Sequence, residues 1–177
     1  MKILTLLRHA KSGWDDPVRR DFDRPLNPRG RRAAQIVGRE MRSLGLGFDR
    51  ILASPARRVV ETIEEVASAF GPLQPDYDER IYLAPAAALA ELVRETPDDV
   101  ERLLIVGHNP GLEELALLLA GCDGPLRTEV QVKYPTGTLA EIDLPVAHWS
   151  EVIPGSGTIA RFIRPRDLDP ELGPEEG

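Results

Sequence analysis

Three short stretches of the sequence place arginine and histidine side chains directly after apolar segments. Arg8 and His9 follow the apolar run at residues 3–7, and His108 follows a later apolar run. The third stretch, residues 54–58 (SPARR), follows a short strand-like segment and ends in two arginines. Arginine binds phosphate and carboxylate groups through paired hydrogen bonds, and histidine changes its charge near neutral pH. Together these residues predict a site for an anionic group.

The two arginines of the third stretch are predicted to lie in the first turn of a helix. The helix dipole disfavours cations there by about 0.3–1 kcal/mol, but a bound anion would reverse the effect, because a helix N-terminus itself attracts anions. Glu61 lies four residues after Arg57 and can pair with it on the solvent face, whereas Arg58 has Thr62 in that position. We therefore expect Arg58 to face inward. Two solvated surface arginines are the alternative that this stretch alone leaves open.

The surrounding elements predict how the three stretches meet. Strand-like and helical patterns alternate along the chain. The predicted strands are residues 3–7, 50–53, 79–83, 103–106, 138–144 and 158–163, and the predicted helices begin after Asn27 and Ser54 and span 85–95 and 112–120. This alternation predicts a three-layer α/β/α sandwich with a mostly parallel central sheet. Ligands of such sheets bind beyond the carboxyl ends of the strands, where all three stretches lie.

Length and composition restrict the class of protein. The chain has 177 residues, enough for one domain, which we assign to residues 1–164; the acidic, proline-containing tail at 165–177 has no periodicity and is predicted to be disordered. A net charge of −7 argues against a nucleic-acid partner or an anionic membrane surface. Cys122 is the only cysteine, and no apolar run is long enough for a signal peptide or membrane span. We expect a cytoplasmic protein.

Five motifs, in their order and spacing, resemble the histidine phosphatase superfamily (phosphoglycerate mutase-like). They are LLRHAKSGW, DRPLNPRG, SPARRVVET, IVGHNPGLEELA and YPTGT. The resemblance covers residues 2–164 and is nearest to the SixA-like phosphohistidine phosphatase branch. Ala10 stands where the superfamily signature has glycine, as is common in that branch. Residues 14–16 (WDD) occupy the region where mutase-like members carry an asparagine, so that phosphate contact cannot be transferred.

The resemblance implies a role for each matching residue. His9 is the nucleophile that accepts the phosphoryl group, Arg8 and Arg58 bind its oxygens, and His108 donates to those oxygens. A neutral imidazole is needed for the attack, and neighbouring guanidinium groups disfavour the imidazolium form. Stabilisation of the transferring group by these cations requires no cofactor, and no metal-ligand spacing surrounds either histidine. We read His148 as a structural residue.

The general acid is the open question of the site. Glu79, in DERIYL, is a possible counterpart of the mutase-type acid, and the other candidates are Asp15, Asp16, Asp21 and Asp23. An alkoxide leaving group needs such an acid. A phosphoramidate has a labile P–N bond, and imidazole leaves well once protonated, so a missing acid favours phosphohistidine as the substrate.

These features predict a phosphatase that acts through a covalent phosphohistidine at His9 on a phosphohistidine-bearing protein. A small phosphorylated metabolite is the alternative substrate, which would make the chain a phosphomonoesterase or a phosphoglycerate mutase-type enzyme. A third alternative is a phosphate-binding module without catalysis.

Overall fold

A six-stranded sheet with helices on both faces organises the chain. It is seen in a computed structural model that describes residues 1–13, 20–122 and 124–173. The strands are β1 (Lys2–Arg8), β2 (Arg50–Ala53), β3 (Asp76–Tyr77), β4 (Arg102–Gly107), β5 (Leu139–Leu144) and β6 (Thr158–Ile163). The helices are α1 (Pro28–Ser43), α2 (Arg57–Phe70), α3 (Ala86–Arg94), α4 (Gly111–Leu119), α5 (Pro125–Val132) and α6 (Pro165–Leu168).

The strand order is β3-β2-β4-β1-β5-β6, and β1, β2, β3 and β4 run parallel, while β5 runs antiparallel to both of its neighbours. The predicted mostly parallel sheet is therefore confirmed. In its centre Leu7 of β1 and Ala53 of β2 both pair with Val106 of β4. Arg8, which ends β1, lies opposite Gly107, which ends β4. The three predicted stretches consequently emerge at the same level of one sheet edge.

Alternation of side chains along the strands divides the core into two layers. Leu4 and Leu6 of β1 pack in one layer with α3, α4 and Val130 of α5, whereas Leu7 packs in the other with α1 and α2. Successive strand residues point to opposite faces, so a buried parallel strand must be apolar on both. The predicted three-layer α/β/α architecture is confirmed. None of the helices in the described residues is long and apolar enough to cross a membrane.

The starts of α1 and α2 differ in how they are capped. The Asn27 side chain accepts a hydrogen bond from the Gly30 N–H at 2.8 Å, which is the predicted N-cap with proline behind it. Helix α2 begins at Arg57, two residues later than a cap at Ser54 would give, and its N-cap residue Ala56 makes no side-chain cap bond. The buried Ser54 hydroxyl accepts from the Ala56 N–H at 3.3 Å and also lies 2.8 Å from His108 Nε2. Ser54 therefore contacts both the backbone before α2 and a residue of the site.

One local prediction is wrong, and one helix was not predicted. Residues 79–83 are not a strand: the Asp78 carboxylate accepts from the Arg80 N–H at 2.9 Å and starts a 3-10 turn at Glu79–Ile81, while the strand is the earlier β3. Helix α5 was not predicted, because it buries only Val130 and so lacks an apolar stripe.

The tail prediction is also wrong for residues 165–173. Helix α6 and a 3-10 turn at Pro170–Leu172 fold back, with Pro165 and Leu172 buried. Arg32 of α1 forms ion pairs with Asp169 and Glu171 at 2.5 and 2.9 Å. The composition of the segment did not indicate this, because the burial of Pro165 and Leu172 and the ion pairs with Arg32 are enough to hold a short acidic segment in place. Residues 174–177 lie outside the described residues.

Candidate active site

A cavity of about 460 Å³ opens at the edge where β1, β2 and β4 end. The structure brings four of the predicted site residues, Arg8, His9, Arg58 and His108, to its walls. The other lining residues in the described part of the chain are Lys11, Ser12, Asp21, Arg24, Leu83, Asn109 and Thr136. Four cationic side chains therefore line this cavity of an acidic protein.

His9 is held by its backbone and by one ring nitrogen. Its N–H donates to the Gly107 carbonyl at 3.0 Å, and the Gly137 N–H donates to its carbonyl at 2.9 Å. The ring Nδ1 lies 2.7 Å from the Ala10 carbonyl oxygen. Because a carbonyl only accepts, Nδ1 carries the proton and Nε2 of a neutral ring keeps its lone pair.

Burial lowers the pKa of His9 well below its usual 6.5. The Ala10 carbonyl opposes this shift, because it accepts from the ring, whereas the charges of Arg8 and Arg58 add to it. Only 7% of the residue is exposed, which accounts for the effect of burial. His9 is therefore neutral at neutral pH.

Arg58 faces the cavity and Arg57 faces solvent, as the sequence predicts. Arg58 is 2% exposed, while Arg57 pairs with Glu61 at 3.0 Å on the outside of α2. The Thr62 hydroxyl, buried one turn after Arg58, donates to the Arg58 carbonyl at 2.6 Å and accepts from the Ala10 N–H at 2.9 Å. Thr62 thus ties the histidine loop to the helix that carries Arg58.

Asp21 holds the Arg58 guanidinium in place. Arg58 Nη1 donates to the Asp21 carbonyl at 2.7 Å, and Nη2 donates to its carboxylate at 3.0 Å. Tyr82 Oη and Arg24 donate to the same carboxylate at 2.6 and 2.9 Å. Partial burial acts to raise the pKa of Asp21, but the hydrogen bonds from Tyr82, Arg24 and Arg58 lower it to about 2. Asp21 is therefore ionised. Its carboxylate accepts hydrogen bonds and has no proton to donate.

His108 is neutral as well. Its burial, followed by the charge of Arg58, lowers its pKa to about 3. Nδ1 lies 3.3 Å from Arg58 Nη2, and Nε2 lies 2.8 Å from Ser54 Oγ. Since a guanidinium only donates, Nδ1 accepts in this arrangement and Nε2 carries the proton toward Ser54. The His9 and His108 rings have centroids 5.4 Å apart.

Glu79 does not reach the cavity. It lies in the 3-10 turn that replaces the predicted strand, and its side chain is exposed. Asp23 pairs with Arg20 and is not among the lining residues. Asp15 and Asp16, with Trp14, lie outside the described residues. Asp21 is thus the one carboxylate among the described lining residues, and the expectation of a general acid at Glu79 lacks support from its position.

His148, which the sequence analysis reads as a structural residue, lies outside the cavity. His148 is exposed and lies 2.9 Å from Asp98, away from the cavity. No group of three histidine, cysteine or carboxylate side chains in the described ranges could hold a metal ion.

Sequence reasoning assigned no role to Arg24, Tyr82 or Thr62. Arg24 also donates to Ser12 Oγ at 2.6 Å and so connects Asp21 to the loop that follows His9. That loop packs against α1, where a Cβ on Gly30 would meet the Lys11 carbonyl at 2.1 Å. Arg24 and Gly30 both belong to the motif DRPLNPRG, so this motif could have indicated that they contact the loop after His9. Tyr82 acts across 61 positions and leaves no local pattern.

Comparison with known proteins identifies the family of the chain. Residues 4–82 match the model of the histidine phosphatase superfamily (branch 1). An uncharacterized protein of Mycobacterium tuberculosis is 35% identical over 163 residues, which cover 90% of this chain and all of that one.

Solved structures extend the similarity over nearly the whole chain. A protein of Agrobacterium tumefaciens assigned as SixA is 29% identical with a TM-score of 0.79, covering 92% of this chain and 97% of its own. A Nakamurella multipartitia protein with the same assignment is 25% identical with a TM-score of 0.80, covering 93% and 96%. The motifs, the architecture and these similarities agree: the chain belongs to the histidine phosphatase superfamily, and its structure resembles those of SixA phosphohistidine phosphatases.

Proposed function

We propose that the chain is a phosphohistidine phosphatase, which takes a phosphoryl group from a histidine of another protein onto His9 and then transfers it to water. Superfamily membership supports phosphatase activity. The observation that carries the proposal is the state of His9: a buried, neutral imidazole whose Nδ1 is bonded to the Ala10 carbonyl, leaving Nε2 as a nucleophile among guanidinium groups.

In the first step the lone pair of His9 Nε2 attacks phosphorus. A P–N bond to His9 forms while the P–N bond to the substrate imidazole breaks, and the departing nitrogen keeps the electron pair and takes a proton from solvent. The transferring group spreads negative charge over its oxygens, which the guanidinium groups of Arg8 and Arg58 stabilise. In the second step the oxygen of a water attacks phosphorus and releases one proton to solvent, the P–N bond to His9 breaks so that Nε2 regains its lone pair, and inorganic phosphate leaves.

His108 completes the phosphoryl site if its proton lies on Nδ1. The Ser54 hydroxyl accepts from the Ala56 N–H at 3.3 Å, and its own proton can be donated to His108 Nε2. An arriving phosphoryl group draws the Arg58 guanidinium toward its oxygens, and Nδ1–H then donates to the same group. The exchange needs the shift of Arg58, rotation of the Ser54 hydroxyl, and a tautomer change of the neutral ring in which Nε2 gives its proton to solvent and Nδ1 takes one from it.

The choice of substrate rests on the lack of a protonated carboxyl group among the described residues that line the cavity. A phosphate monoester requires protonation of an alkoxide leaving group by a positioned acid. Asp21, the carboxylate in the described lining, has a pKa of about 2 and is ionised at neutral pH. Phosphohistidine avoids this requirement, because its imidazole leaving group is protonated readily by solvent. The two SixA-like structures support the same substrate class.

Replacement of His9 by alanine is expected to reduce turnover to background, because the proposed mechanism needs the lone pair of His9 Nε2 as the nucleophile. The unaltered protein, quenched during turnover, should carry one acid-labile phosphate that maps to His9. His148→Ala is the matched control, and it should keep full activity because that ring is exposed and outside the cavity. Turnover that survives in the His9 variant would contradict the role of His9.

Replacement of Arg58 by alanine should lower kcat by roughly 10²–10³, the loss typical of a removed oxyanion donor. Arg57→Ala, one position earlier on the same helix, should lose less than twofold, because its side chain pairs with Glu61 in solvent. Steady-state kinetics on one phosphohistidine-bearing protein measures both. Equal losses would show that the arginine facing the cavity has been misassigned.

The substrate itself is tested by comparing kcat/KM for a phosphohistidine-bearing protein with a panel of sugar phosphates, nucleotides and phosphoglycerate. We expect the phosphoprotein to be preferred, and Glu79→Gln to change no rate by more than twofold. Preference for a monoester, with loss of only that activity in the Glu79 variant, would make the chain a small-molecule phosphatase. Isomerisation of labelled phosphoglycerate would make it a mutase.

A further inference from the structure

One residue of the catalytic cavity differs in kind from the rest. Leu83 is the only apolar side chain among the described residues that line it. It is 55% exposed, at the mouth of a cavity that otherwise presents charged, imidazole, amide and hydroxyl groups. Single exposed leucines are common on proteins and need no explanation by themselves. The backbone of Leu83 supplies the second observation.

Leu83 occupies a position that favours glycine. The Ala84 N–H donates to the Ile81 carbonyl at 3.3 Å, which closes a four-residue turn. Tyr82 has φ −62° and ψ 112°, and Leu83 has φ 52°. These angles are those of a type II turn, whose third residue needs a positive φ and is usually glycine or asparagine. In the described part of the chain no other non-glycine residue has a positive φ.

Contacts on both sides fix this turn against the catalytic groups. Tyr82 donates to Asp21 at 2.6 Å, and its ring meets the His108 ring edge-on with centroids 5.4 Å apart. On the other side, the Ala84 carbonyl lies so close to α4 that a Cβ on Gly111 would come within 2.1 Å of it. The turn therefore holds the Leu83 side chain at the cavity mouth. A bulky residue kept in an unfavourable conformation at a site points to a function for its side chain.

We propose that Leu83 determines specificity by packing against the leaving group. The inference rests on the proposed function: once Arg8 and Arg58 hold the phosphoryl oxygens, the substrate imidazole lies toward the mouth of the cavity. The faces of an imidazole ring are apolar, and contact with Leu83 removes them from water. No other described lining residue offers that contact. Leu83 thus favours phosphoryl donors that carry a ring over donors of the same phosphoryl group without one.

The test compares Leu83→Asn with the unaltered chain on three phosphoramidates. These are phosphoramidate itself, whose leaving group is ammonia, N-phosphoimidazole, and a phosphohistidine-bearing protein. We expect kcat/KM to fall about tenfold on the two ring-bearing substrates, the scale of one lost apolar contact, and less than twofold on phosphoramidate. Asparagine tolerates the positive φ, so the midpoint of thermal unfolding should not fall.

Two further variants complete the design. Leu83→Met keeps an apolar contact and should retain activity on all three substrates, and Leu118→Asn, at an exposed leucine of α4 outside the cavity, should do the same. Equal losses on all three substrates would overturn the inference, because the turn would then act on the phosphoryl site. Unchanged rates in Leu83→Asn would also overturn it. An unaltered chain that hydrolyses none of the three would overturn the proposed function, and this inference with it.

Discussion

A hydrogen bond of 2.7 Å between His9 Nδ1 and the carbonyl of the next residue fixes which ring nitrogen carries the proton. The rest of the site depends on this bond, because it leaves Nε2 with a lone pair beside Arg8 and Arg58. The backbone of His9 is held in place just after the end of β1. Its N–H donates to the Gly107 carbonyl of β4, and its carbonyl accepts from the Gly137 N–H. These backbone contacts hold His9 where its ring can donate to the Ala10 carbonyl, and that bond determines the tautomer.

The described side chains around His9 are mainly cationic, and one carboxylate, Asp21, partly compensates their charge. Buried guanidinium groups require partners, and Arg58 finds them in the carbonyl and carboxylate of Asp21. Asp21 is in turn bonded by Tyr82 and Arg24, so it stays ionised and keeps Arg58 oriented while no phosphoryl group is bound. Among the residues that the structure describes, this arrangement supplies electrostatic stabilisation but no protonated carboxyl group to act as general acid. It therefore suits a leaving group that solvent can protonate.

Much of the fold and the four central site residues could be predicted from sequence, because both depend on local patterns. Apolar runs that end in Arg8 or His108 mark strand ends, and the i,i+4 pair of Arg57 and Glu61 separates the solvent face of α2 from the inner one. What could not be predicted depends on distant contacts. Tyr82 reaches Asp21 across 61 positions. The docked segment at 165–173 is held by Arg32 of α1, and its composition alone indicates disorder.

The central claim, a neutral His9 with its proton on Nδ1, is tested most directly by NMR of the protein with ¹⁵N-labelled histidine, with His9→Ala used to assign the His9 signals. Because burial and neighbouring cations lower the pKa of His9, the neutral form should persist as the pH falls well below 6.5. The expected spectra show Nδ1 protonated and Nε2 unprotonated throughout that range. A His9 ring that gains its second proton at or above pH 6.5, or one that carries its proton on Nε2, would contradict the account.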